Sequence, residues 1–339
     1  MTTQAIKILA LPLLVGTLLF TACGEKSGAP AEAAETKIPD APDEAMQMIA
    51  REIADANGAI LWRAMPGSYQ SDVTSIARLA GTKIDPDIYN KVFSTVNRVA
   101  TVLDKQKEFV FNTSLGGEGP DEEQVARMRA AWPSIMDLVN ELTTSSLSSA
   151  EGLQSFEGEA FFRNTVSGVL ANVDALTKLQ PDGEMLLSDL KEASFKYLEG
   201  SGSEATLEMS VPGQETETRT FVKVEDRWVP QDMAQTWAAD MAQARSQLEA
   251  IDPKALEKQK PQILGVFAMI DGVLTQIEAA ETQQQFDQAL QGAMMPIMGL
   301  MMMGQGMGGA GSAPQMPAAP ELPEMPPADG MPNLPTTPE

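Results

Sequence analysis

Met294, Met295, Met298, Met301, Met302, Met303 and Met307 form the densest cluster of potential ligand atoms in the chain. Thioether sulfur is a soft donor suited to Cu(I), so this Met-rich tail could offer a copper site without histidine. The plainer reading is an adaptable apolar patch for a partner or a lipid face. Seven glycines between residues 292 and 311 work against a fixed ligand geometry, and we expect no bound metal. Pro66-Gly67-Ser68-Tyr69-Gln70-Ser71-Asp72 is a polar turn close to Trp62. Aromatic rings beside amide and carboxylate groups could stack on and hydrogen-bond a sugar. Trp62, Tyr69, Gln70, Met298 and Met302 are therefore the candidate binding surface. Against it stands a reading in which Ser68 or a neighbour caps a helix while Trp62 and Tyr69 complete a small core.

Ser188 and Lys191 have the Ser-x-x-Lys spacing of some lysine-activated nucleophiles, but the companion Ser-Asp-Asn and Lys-Thr-Gly elements are missing. Spacing of three also puts two polar residues on one solvated helix face. Asp85/Asp87 and Asp121/Glu122/Glu123 are carboxylate groups of the kind used in acid–base work. With 47 acidic residues, adjacency means little, and these positions read as helix starts and solvated faces. Trp228 and Trp237 either line a pocket or seal a sheet against a helix. No catalytic residue and no cofactor is expected.

Composition removes whole classes of chemistry. The chain has no histidine, which excludes Ser-His-Asp and Cys-His catalysis and the usual histidine-ligated metal sites. Its 24 basic residues against 47 acidic ones give a formal charge of −23. That disfavours nucleic acid and charge-driven attachment to anionic lipid. One cysteine permits no intramolecular disulfide, so the body relies on packing.

That cysteine sits in an informative place. Lys7 precedes an apolar run from Ile8 to Phe20, then Thr21-Ala22-Cys23-Gly24. A charged start, a short apolar core and small residues make a secretory signal, too short for a transmembrane helix. The Phe20-Thr-Ala-Cys23 ending resembles the lipobox of bacterial lipoproteins, with Phe20 where that family usually has Leu. The resemblance covers residues 1–23. It implies cleavage before Cys23, diacylation of its thiol (palmitate-type chains) and attachment to a membrane through those chains. Two or more chains hold stably. Gly24 lacks the Asp that the family's sorting rule reads as inner-membrane retention. The expected location is thus the periplasmic face of an outer membrane, or the outer face of the cell membrane where there is only one.

Residues 1–22 are the signal peptide, and residues 23–42, with little to bury, are a disordered lipidated tether. Over residues 43–180 apolar residues recur at spacings of three and four, predicting a helical bundle. Met46, Ile49, Ile53, Ala56 and Ile60 give one helix ending before Pro66, and Tyr69 to Leu79 a second, stopped at Gly81. Asp85-Pro86 starts a third, running towards Phe109 and Phe111. Val125 to Leu142 give a fourth that Pro133 kinks or splits, and Phe162 to Leu176 a fifth. The segment 181–290 holds a small antiparallel sheet plus a helical hairpin. Period two appears at Phe195/Tyr197, at Ala205, Leu207, Met209 and Val211, and at Thr218, Thr220, Val222 and Val224. Turns are expected at Pro212-Gly213 and Glu225-Asp226. Residues 193–240 weakly resemble the cystatin-like and nuclear-transport-factor-like α+β rolls, in shape only. Helices around Trp237–Ile251 and Ile263–Ile277 form the hairpin, packed on itself or on the sheet. Residues 291–339 are a Met/Gly/Pro-rich disordered tail. The fold class is α+β, mainly α.

The expected function is a non-catalytic binding or scaffolding role for a membrane-anchored envelope lipoprotein, with an envelope protein as partner. A carboxylate-based glycan-acting enzyme and Cu(I) binding through the tail are the alternatives.

Overall fold

A computed structural model describes residues 37–114, 119–179 and 187–292. The signal peptide, Cys23, most of the tether and the tail with Met298 and Met302 lie outside these residues. The fold is α+β and mainly α: a helical bundle, then a four-stranded antiparallel meander, then two successive C-terminal helices.

The first helical stretch is two helices. α1 spans Pro42–Ala54 and α2 spans Ala59–Ala64. The apolar spacing continues from Ile53 to Ile60, yet Ala56 adopts φ +57° and ends α1. Asn57 then accepts a hydrogen bond from the Ala59 amide at 3.2 Å and starts α2. α3 spans Gly67–Lys83 and runs through Gly81. Gly81 is a point of contact: α7 (Ala150–Gln154) crosses so close that a Cβ there would meet the Gln154 amide nitrogen at 2.7 Å.

α4 (Pro86–Lys105) starts as expected, with the Asp85 carboxylate accepting from the Asp87 and Ile88 amides. α5 (Lys107–Phe111) continues it. α6 (Glu122–Thr143) opens on a capping box between Asp121 and Gln124, and Pro133 does not split it. α8 (Gly158–Phe161) and α9 (Ser167–Thr177) are joined by a π turn over Phe162–Val166.

β1 (Ser194–Ser201), β2 (Glu204–Ser210), β3 (Glu217–Val224) and β4 (Arg227–Pro230) pair in sequence order. Glu225 and Asp226 both have positive φ, the conformation a two-residue hairpin turn requires. The phase of β3 differs from the sequence reading. Ala205 pairs with Phe221, so Phe221, fully buried, shares a face with Ala205, Leu207 and Met209. Thr218, Thr220, Val222 and Val224 lie on the other face, where Val222 pairs with the buried Val229. Tyr197 is 44% exposed although it pairs with the buried Leu207; the register slips between Tyr197 and Glu199 on this edge strand.

The two helices expected to form a hairpin, α10 (Gln231–Glu249) and α11 (Pro253–Glu278), pack on different partners. α10 lies on α3 and on β3 and β4, while α11 lies along α4. α4 and α11 run parallel, held by a ladder of ion pairs. Lys260 meets Asp85 at 2.9 Å, Lys91 meets Asp271 at 2.6 Å, and Lys105 meets Glu278 at 3.0 Å. Gln106 ends the ladder by donating to the carbonyls of Ile277, Glu278 and Ala280. A last described helix covers residues 283–292. One hydrophobic cluster runs from Met46 and Ile49 in α1 through Phe162 to Leu207 and Phe221 in the sheet and Met233 in α10. Residues on both sides of position 180 therefore build a single core.

Candidate functional site

The turn joining α2 to α3 is fixed before any ligand is considered. The Gln70 side-chain amide donates to the carbonyls of Trp62 at 2.8 Å and Met65 at 3.3 Å, satisfying the end of α2. The start of α3 is capped from a distance. No side chain of its own N-cap residue does so, and the Glu225 carboxylate accepts from the Ser68 amide at 2.9 Å. The positive-φ turn between β3 and β4 thus presents its carboxylate to a helix N-terminus, where negative charge is favoured.

The Ser68 amide above all, then the Ser68 hydroxyl and the Gly67 amide, holds the Glu225 carboxyl below its ordinary value of 4.5. A carboxyl lowered in the folded state stabilises the fold fully above its unfolded pKa, and that contribution is lost as pH falls through the folded value. Glu225→Gln is expected to lower the melting temperature at pH 7, and the difference is expected to shrink as the pH falls through the carboxyl's lowered folded value. A pH series of thermal melts for both proteins checks this, because all other acidic groups cancel in the comparison.

Trp62 is 8% exposed, tilted against Phe162 at a centroid distance of 5.4 Å and covered by Gly158. Tyr69 is 6% exposed and stacks on Trp237 at 4.0 Å, with planes 8° apart. Burial, then the nearby Asp72 and Glu225 charges, pushes the Tyr69 hydroxyl up from its ordinary value. Trp237 donates to Asp72 at 3.0 Å, and Trp228 donates to the Asp40 carbonyl at 2.8 Å. The tryptophans at the sheet-to-helix corner therefore seal it. Neither Trp62 nor Tyr69 offers an open ring face of the kind a stacked sugar needs.

Trp62 and Gln70 nevertheless border an open cleft of about 370 Å³, shared with Lys37, Ile38, Arg63, Glu159 and Arg227. Tyr69 turns away from it into the core. α2 brings Arg63, α3 brings Gln70, α8 brings Glu159 and β4 brings Arg227. Arg227 donates from Nε to the Arg63 carbonyl at 2.9 Å, which fastens the strand to the end of α2. Glu159 is engaged by Arg163, one helical turn away. The cleft thus gathers three cations and one carboxylate in a strongly acidic chain.

The sequence reading named Trp62 and Gln70 but missed Lys37, Arg63, Glu159 and Arg227. No spacing along the chain marks the two arginines: Arg78, Arg98 and Arg129 likewise have no acidic residue three or four positions away, yet they pair with the distant Glu157, Asp271 and Glu108.

The other sequence candidates are structural. Lys191 pairs with Asp55 at 2.6 Å, on a 3-10 turn anchored by the buried Leu187 and Leu190. Asp85 and Asp87 both hold Lys260, at 2.9 and 2.6 Å. Glu123 pairs with Arg127 within α6. Among the described residues no group of three or more Cys, Asp or Glu side chains is placed to hold a metal ion, and no helix is long and apolar enough to cross a membrane. No protein-family model, characterised protein or solved structure matches this chain.

Proposed function

We propose that the protein is an exported lipoprotein, anchored through acylated Cys23, whose body binds a partner or ligand without transforming it. The anchoring half rests on the charged, apolar and small-residue order of residues 1–23. The binding half rests on one observation, the open cleft beside Gln70. Its lining supplies cations, an amide and an apolar side chain, groups that hold and orient a ligand. The cleft is open to solvent and Trp62 forms part of its wall, so a ligand could enter without displacing the packed ring. An envelope protein remains the favoured partner for the rest of the body.

Two measurements test the two halves separately. Cells expressing the full chain and fed labelled palmitate should transfer label to it and retain it in the membrane fraction. Cys23→Ser should remove the label and release the protein into the soluble fraction. Label persisting in Cys23→Ser overturns the anchor. For binding, a photo-crosslinking residue replaces exposed Glu159 at the cleft rim in the native envelope. A reproducible adduct lost when Arg227 is also changed supports the reading. Conversion of envelope glycan to new products by the purified chain overturns it.

A further inference from the structure

We propose that the cleft beside Arg63 and Arg227 binds the phosphate of a small phosphomonoester. Lys37, Arg63 and Arg227 all line it, and none of the three is in an ion pair among the described residues. This contrasts with the rest of the described chain, where most cations have found one of the abundant carboxylates. The single carboxylate in the lining, Glu159, is already held by Arg163. Three positive charges are therefore gathered here, none of them in a direct ion pair, beside one carboxylate that another arginine holds.

The fold also does not use up the Arg63 guanidinium, whose Nε is shielded from solvent and has no hydrogen-bond partner. Arg227 directs Nε and one terminal nitrogen at the backbone carbonyls of Arg63 and Asp226. Those contacts fix its position without neutralising it. Guanidinium groups are rigid forks that match oxyanions.

Charge and size narrow the ligand. A carboxylate balances one of the three cations, whereas a phosphomonoester brings close to two negative charges near neutral pH. A cleft of about 370 Å³ is in the size range of small-molecule sites and larger than a bare phosphate needs. The ligand therefore carries an uncharged remainder, which meets Ile38 and Gln70. Such a phosphate has two sources, a soluble molecule or a lipid headgroup.

The proposal rests on the binding reading above but fails separately from it, since a crosslinked partner could be recovered from a protein blind to phosphate. The test is isothermal titration of the full chain in detergent with glycerol 3-phosphate, with acetate, and with phosphatidic acid in mixed micelles of the same detergent. Saturable binding of glycerol 3-phosphate, weakened about tenfold or more in Arg63→Gln and in Lys37→Met, is the expected result. Lys37 is exposed at the rim, so its variant should keep the wild-type melting temperature even if Arg63→Gln does not. Binding to the phosphatidic acid micelles alone, with the same loss in Lys37→Met, assigns the phosphate to a lipid. No saturable binding to either probe, equal affinity for acetate, or binding unchanged in both variants overturns the proposal.

Discussion

Gly58→Ala is expected to destabilise the protein by about 3 kcal/mol, the upper end of the usual cost of overpacking. Gly58 has an ordinary negative φ, so backbone freedom is not the reason. Space is. A Cβ at this position would lie 2.4 Å from the Phe162 carbonyl oxygen, 2.7 Å from the Ser167 nitrogen and 2.9 Å from the Val166 carbonyl carbon. All three are backbone atoms of the π turn and the start of α9, and none can swing aside as a side chain would. The Gly58 amide also donates to the Ser167 hydroxyl at 2.8 Å, so any retreat breaks that bond. A melting-temperature loss of roughly 6–12 °C is expected by calorimetry. Gly272→Ala is the control. It lies inside α11 with nothing near its absent Cβ, and alanine there should be neutral or stabilising by up to about 1 kcal/mol. Equal melting temperatures for wild type and Gly58→Ala would refute the close approach.

Phe221→Ala should cost about 3–5 kcal/mol, while Thr218→Ala should change stability by less than about 0.5 kcal/mol. The two residues lie on one strand, and their ranking depends on the strand's phase. Phe221 is fully buried between Ala205 on one neighbour and Pro230 on the other. Truncating it leaves a cavity beneath the centre of the sheet. Thr218 is exposed opposite Glu208. Urea unfolding of both variants decides the matter, since a larger loss for Thr218→Ala would mean the register is shifted by one residue.

That strand shows where sequence patterning stops working. Thr218, Thr220, Val222 and Val224 alternate cleanly and are good strand formers on either face, so they mark a strand without marking its inside. The single aromatic out of phase with them decides the core. The break between α1 and α2 was hidden for a related reason. Ile53 and Ile60 keep helical spacing, and the signal was Asn57-Gly58, two residues suited to a turn. Gly81 looked like a stop because glycine often is one; its cause is α7, sixty-nine residues further on.

Local chemistry was far more legible. The caps at Asp85 and Asp121, the positive-φ turn at Glu225-Asp226 and the meander all depend on residues within a few positions of each other. The cleft does not. Lys37, Arg63, Gln70, Glu159 and Arg227 meet only after helix, turn and strand have assembled, and no spacing along the chain announces them.

The parallel ladder between α4 and α11 also governs the order in which the molecule comes together. Its contacts join residues 173 to 180 positions apart, among the longest separations in the fold. Parallel neighbours cannot be joined by a short turn, so the chain must travel back to the start of α4 before α11 begins. Loop-closure entropy makes such a step late and slow. During chain emergence α4 therefore waits with Lys91, Arg98 and Lys105 facing water until Asp271 and Glu278 arrive. Arrest of the chain anywhere before residue 271 leaves that helix without its acidic partner.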